Sequence, residues 1–431
     1  MSDSAATLPA PPVRSSALSG SMGIIRRYAL SIFGPVSVSA AHFLASLIFL
    51  RELPPVYFGQ FAFLLIIVPF LSVSAGGSLT IAPLAAMVAD TEKSERNLSL
   101  LLKVNLLFSV FALFATTVTL LLSNSSLSIA LILAPYGALM SLRWFGRAYV
   151  FARSEPFKVM LSDLVYSLSL CAGILVLFDF NAFNIDTVAL VMTLSALLGT
   201  FFLGADYLRR QFWSLGRSSL RDYWPVWQDY TRWSLVGVTL AELTANAHAY
   251  LVTFISGPKA FAVLAVGALL MRPVSLVMGA LPDFERPRMA RALAAGDYEQ
   301  AFKFVNQFRT AGAAIWAVTL GLLAVLLIWF PHEILKGNYD HTEVIVVLGI
   351  WAVIMAARVL RTPESVLLQG GGEFKPLAAV NTKSSVVSVI ATATLLFLFG
   401  PLAALGGILI GELMMTGATI SLFRKWKASH V

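Results

Sequence analysis

The segment VGALLMRPVSLVMGALPDFERPRMA, residues 266–290, decides how this chain is read. Its first half is apolar enough to lie in a bilayer, yet Arg272 stands inside it, immediately before Pro273. A permanent charge there is costly unless a counter-charge, a ligand or a water-filled space receives it. Which of these applies depends on the surrounding chain. Of its 431 residues 58% are hydrophobic and only 13% charged, too little polar surface for a soluble domain of that length. A spanning helix needs about 20 apolar residues. Twelve stretches meet that requirement: 28–50, 60–88, 98–122, 127–146, 160–178, 187–207, 233–255, 261–282, 310–330, 344–360, 378–398 and 401–423. The expected fold is an all-α polytopic membrane protein with about twelve transmembrane helices.

The leftover sequence is short. Residues 1–23, rich in Ser, Pro and Ala, read as a disordered tail. They do not read as a signal peptide, because the first apolar run follows Arg26–Arg27 and has full spanning length. No GxxxxGK[ST] phosphate loop occurs, so no ATPase is expected within the chain. The five histidines, His42, His248, His332, His341 and His430, form no metal-ligand spacing with one another or with the lone Cys171. Neither an enzyme nor a resident cofactor is expected.

The basic residues orient the spans. Twenty-six of the 31 Lys and Arg fall on the side shared by both termini, against Arg51, Lys259 and Lys336 on the other; Lys103 and Arg272 fall within spans. That asymmetry places both termini in the cytoplasm. The net charge of +8 is thus a topology signal and implies contact with anionic membrane lipids, not nucleic acid.

The chain also repeats itself. VPFLSVSAGGSLTIAP (68–83) and RPVSLVMGALPDFERP (272–287) carry Pro69 and Pro83, Pro273 and Pro287, at one common separation and each in the second span of its half. RRYALS (26–31) opens the first half as TRWSLV (231–236) opens the second, and SEPFKVMLSDLVYS (154–167) resembles GGEFKPLAAVNTKSS (371–385). Their common order predicts a duplication: a six-helix bundle over 24–210, a linker over 211–232, a second bundle over 233–423 and a tail over 424–431. An even number of spans per half makes the repeats parallel, with a substrate site near the midplane between them.

The six-plus-six layout, the paired prolines and RELPPVYFGQFAF (51–63) resemble Wzx-type polysaccharide flippases of the multidrug/oligosaccharidyl-lipid/polysaccharide exporter superfamily. The resemblance implies a V-shaped transporter that moves an undecaprenyl-pyrophosphate-linked oligosaccharide by alternating access. It also implies polysaccharide polymerase and chain-length proteins as partners. The major facilitator fold has the same helix count, but VADTEKSERN (88–97) lacks that fold's glycine and arginine pair. Two further readings stay open: a cation-coupled exporter of the same superfamily, and a scaffolding subunit without transport of its own.

Arg272 and Glu242 are the charges to place. Each is fifteen residues from Gly257, so two straight antiparallel helices would bring them to one depth, about 20 Å from the turn. Either they pair and lock the hairpin, or Arg272 faces a cavity and receives pyrophosphate, which a guanidinium fork suits. Thr239, Glu242 and Asn246 form a polar stripe on one helix face, with His248 just beyond. The substrate-binding set is therefore Arg272, Glu242, Asn246 and His248. Lys103 is read as snorkelling to the interface, and Asp163 and Glu412 as capping or interface residues. The first half has no charge where Arg272 and Glu242 map, near Val68 and Val38.

Overall fold

The computed structural model describes residues 17–84, 94–153, 155–213, 218–330, 335–336 and 338–430. Within them the chain is helical from span to span. The first half comprises α1 (Ala17–Glu52), α2 (Pro55–Pro69), α3 (Ser94–Leu122), α4 (Leu127–Ala152), α5 (Pro156–Asp179), α6 (Ile185–Phe201) and a short α7 (Ala205–Trp213). The second comprises α8 (Arg232–Ser256), α9 (Pro258–Leu270), α10 (Arg272–Ala294), α11 (Tyr298–Trp329), α12 (His341–Gly370), α13 (Phe374–Phe399) and α14 (Ala404–His430). Ten helices are long and apolar enough to cross a membrane, or twelve if each of two bent pairs is one span. Residues 1–16 of the expected tail lie outside the described residues, and α1 begins within the remainder of it. At the other end α14 continues through the segment read as a tail.

Both bent pairs refine the sequence reading. The sixth span ends at Phe201, not near 207, and the chain then turns by 99° into α7. Gly204 makes that turn at φ +104°, which a residue with a Cβ adopts only under strain. The eighth span is broken between α9 and α10 with a 57° bend, and Arg272 is the first residue after the break. Pro273, in the first turn of α10, has no N–H to donate back to α9 and its fixed φ suits a helix start, so the break falls there, while Pro282 and Pro287 further along α10 are accommodated without one. At the equivalent Pro69, α2 passes into π-helical turns, Phe70–Ala75 and Gly77–Ile81, before the span ends at Leu84. Hydroxyls of Ser72, Ser78 and Thr80 donate to the carbonyls of Val68, Ser74 and Gly76 along this stretch, supplying donors in a segment where lipid supplies none. Pro69 and Pro273 each sit at an irregularity, whereas Pro287 lies inside α10.

The same helix pairs pack in each half. α1 lies on α5, α3 on α4, and α4 and α5 on α6; correspondingly α8 lies on α13, α11 on α12, and α12 and α13 on α14. These are two six-span bundles of one design. They join chiefly where α2 packs along α9, around Phe63, whose ring meets Tyr250, Phe254 and Phe261. Glu52 adds an ion pair to Lys336 at that end. α10, by contrast, packs on α11 and α12 within its own half.

Candidate functional site

A pocket of about 210 Å³ lies at the junction of the halves. Ser46 of α1 and Phe58, Phe61 and Leu65 of α2 line it from the first half; Asn246 and His248 of α8, Phe261 of α9, Arg272 of α10 and Trp351 of α12 line it from the second. The walls are mostly apolar, with aromatic rings from both halves. Trp351 donates its indole N–H to the Leu264 carbonyl at 3.1 Å, and the His248 ring stands edge-on to it with centroids 5.8 Å apart. His248 is 3% exposed, and its Nδ1 has no hydrogen-bond partner.

Arg272, Asn246 and His248 thus share one space. Glu242 touches it only through Asn246. Its Oε1 accepts from Asn246 Nδ2 and from the Tyr250 hydroxyl, both at 2.9 Å. Glu242 and Arg272 form no ion pair among the described residues. A residue count gives depth along each helix but not which neighbour the helix packs on, and α9 lies chiefly along α2 and α12 and less along α8. Arg272 is half-buried, with no hydrogen-bond or ion-pair partner among the described residues. It is instead within electrostatic reach of His42 on α1, across the junction.

The first half holds charges that the sequence reading had put at the surface. Arg143 and Arg147 lie inside α4, 2% and 7% exposed, and Asp163 on α5 is completely buried. Asp163 is no cap: Oδ1 receives Arg143 at 2.5 Å and Oδ2 receives Arg147 at 3.0 Å. The Arg143 guanidinium also lies over the Tyr166 ring, 4.5 Å from its centroid. Tyr166 bonds His42 Nε2 at 2.8 Å and Tyr136 at 3.1 Å. Gly34 and Gly199 make room for this network, since a Cβ at Gly34 would lie 2.3 Å from Asp163 Oδ2 and one at Gly199 2.9 Å from Arg143 Nε.

The second half has a comparable cluster whose carboxylate comes from a different helix. Glu412, on the sixth span of its half where Asp163 is on the fifth, receives Arg358 and Arg361 of α12, each at 2.8 Å. In both halves the fourth span therefore presents two arginines to one carboxylate, leaving one positive charge in excess. Arg309 and Glu364 form a further, neutral pair. Arginines i, i+4 in LRWFGRAY (142–149) were the available signal for the first cluster. The Lys103 ammonium donates to the Ser218 carbonyl at 2.7 Å and ties α3 to the linker.

This fold is shared with known transporters. The chain is similar to the inward-facing structure of a multidrug resistance MATE family transporter of the MOP superfamily, with 15% identity, 94% of this chain and 98% of that one covered, and a TM-score of 0.67. It is similar also to the lipid II flippase MurJ in an inward closed conformation, with 11% identity, 93% and 87% covered, and a TM-score of 0.69. A MOP superfamily transporter from Pyrococcus furiosus aligns over 94% of this chain and 96% of its own at 13% identity, with a TM-score of 0.57. No protein-family model and no curated protein matches the sequence. The chain is an all-helical polytopic membrane protein whose fold matches these structures, which are of transporters and a flippase, not enzymes.

Proposed function

We propose that this protein flips an undecaprenyl-pyrophosphate-linked oligosaccharide across the bacterial cytoplasmic membrane, for surface polysaccharide or exopolysaccharide synthesis, with both termini cytoplasmic. One observation carries the reading: Arg272, a permanent cation in a membrane span, has no counter-charge among the described residues and lines a pocket built by both halves. An arginine there costs about 2.5–3.5 kcal/mol even on lenient insertion scales. Asp163 and Glu412 offset that cost for their own arginines; no described residue offsets it for Arg272. An anionic ligand in a low-dielectric site would. The excess positive charge of both arginine clusters favours the same sign of cargo, and MurJ is a flippase for lipid II. Asn246, His248 and Ser46 supply hydrogen-bonding groups around the guanidinium, while Trp351 and the phenylalanines offer flat apolar faces. The polysaccharide polymerase and chain-length proteins remain the partners proposed for this cargo.

The test is export of the repeat unit in a strain lacking the gene. Wild type should restore it, Arg272→Ala should not, and Arg272→Lys should restore part. Full restoration by Arg272→Ala at normal membrane levels would refute the proposal.

A second reading has its own observation. Glu242 is a partly buried carboxylate held by Asn246 and Tyr250 with no ion-pair partner among the described residues, as a coupling-cation site in an exporter would be. Under that reading Glu242→Gln abolishes transport. Under ours it does not.

A further inference from the structure

The elbow after the sixth span holds a groove that the transport reading does not use. Phe201 ends α6, and Gly204 turns the chain into α7. One face of α7 is fastened to the first bundle. Tyr207 donates to the Leu142 carbonyl at 2.6 Å, and Gln211 donates to the Leu102 carbonyl at 2.8 Å. The other face is bare: Trp213 is 80% exposed and Phe201, at the elbow, 66%. Between them runs a groove of about 740 Å³, floored by Phe202 and Leu208 and edged by Arg209.

Charge distinguishes Arg209 from its neighbours. Arg210 is engaged by Glu95 and Asp206, Arg153 by Asp206, and Lys158 by Glu155. Arg209 is exposed and has no ion-pair or hydrogen-bond partner among the described residues. An unpaired guanidinium thus stands at the rim of an apolar trough that begins where a spanning helix leaves the hydrocarbon.

We propose that this groove is a binding site for an anionic glycerophospholipid of the leaflet on the side of the termini. Its phosphate sits on Arg209, and its acyl chains lie along Phe201, Leu208 and Trp213. The occupant is a lipid because the groove opens at the end of a membrane span and is apolar apart from that arginine. Amphipathic helices turned into the interface take up lipid in this way. The bound lipid would hold the elbow, and the linker that follows it, against the membrane.

The experiment uses the delipidated full-length protein in detergent, with bound lipid counted by native mass spectrometry after addition of phosphatidylglycerol or phosphatidylcholine. Wild type should hold more phosphatidylglycerol than phosphatidylcholine. Arg209→Gln should lower retained phosphatidylglycerol about fivefold, the effect of one basic residue near an anionic surface, and leave phosphatidylcholine unchanged. Trp213→Ala should lower both, and Arg209→Lys should stay near wild type. Arg209 breaks no protein contact when replaced, so the melting temperature should not move. Equal retention of both lipids by wild type, or undiminished phosphatidylglycerol on Arg209→Gln, would overturn the proposal. Displacement by excess inorganic phosphate would also overturn it, because the site would then read a free anion and not a lipid.

Discussion

Gly59 on α2 meets Pro258 at the start of α9 so closely that a Cβ on Gly59 would lie 1.9 Å from the Pro258 carbonyl oxygen. This backbone contact is where the two halves close against each other, on the side away from the termini. Gly59→Val should force them apart there, at a cost of about 1–3 kcal/mol for overpacking. A cysteine placed at Ser46, in a Cys171→Ser background, should become reactive toward an impermeant thiol reagent from that side. Unchanged labelling would mean that the contact does not seal the pocket.

Asp163 holds two buried arginines, and its loss leaves both without a partner. Asp163→Leu should lower stability by about 3–5 kcal/mol, visible as a large drop in melting temperature in detergent or as failure to accumulate. Asp206 is a control of the same chemistry at the surface, half-exposed between Arg153 and Arg210. Asp206→Leu should cost about 1 kcal/mol or less. Equal losses would show that Asp163 is not the hub the geometry makes it.

The contrast between these aspartates marks what the sequence could and could not disclose. Ten of the twelve spans were legible outright and two as bent pairs, because bilayer thickness translates directly into a run of apolar residues. Arg143 and Arg147 were not. Near a helix end an arginine obeys the positive-inside rule whether it reaches the interface or is clamped by a carboxylate on another helix, and only packing tells these apart. Glu242 and Arg272 failed as a pair for a related reason: a count of residues gives depth along an axis but not which neighbour a helix packs on, and α9 lies chiefly along α2 and α12.

Glu242 separates the two transport readings. Glu242→Gln keeps an acceptor oxygen for Asn246 and Tyr250 while removing the charge, so the fold of α8 should be unaffected. Export of a lipid-linked cargo should persist near the wild-type rate. Loss of export with normal expression would transfer the case to a cation-coupled mechanism centred on Glu242.

Arg272 carries the central claim, and binding of the cargo tests it more directly than export. Purified wild-type protein should bind an undecaprenyl-pyrophosphate-linked oligosaccharide, and Arg272→Ala should bind it at least about tenfold more weakly, the effect of losing hydrogen bonds to a charged group. Arg272→Lys should fall between them, because an ammonium keeps the charge but not the bidentate fork. Equal affinity of wild type and Arg272→Ala would contradict the account.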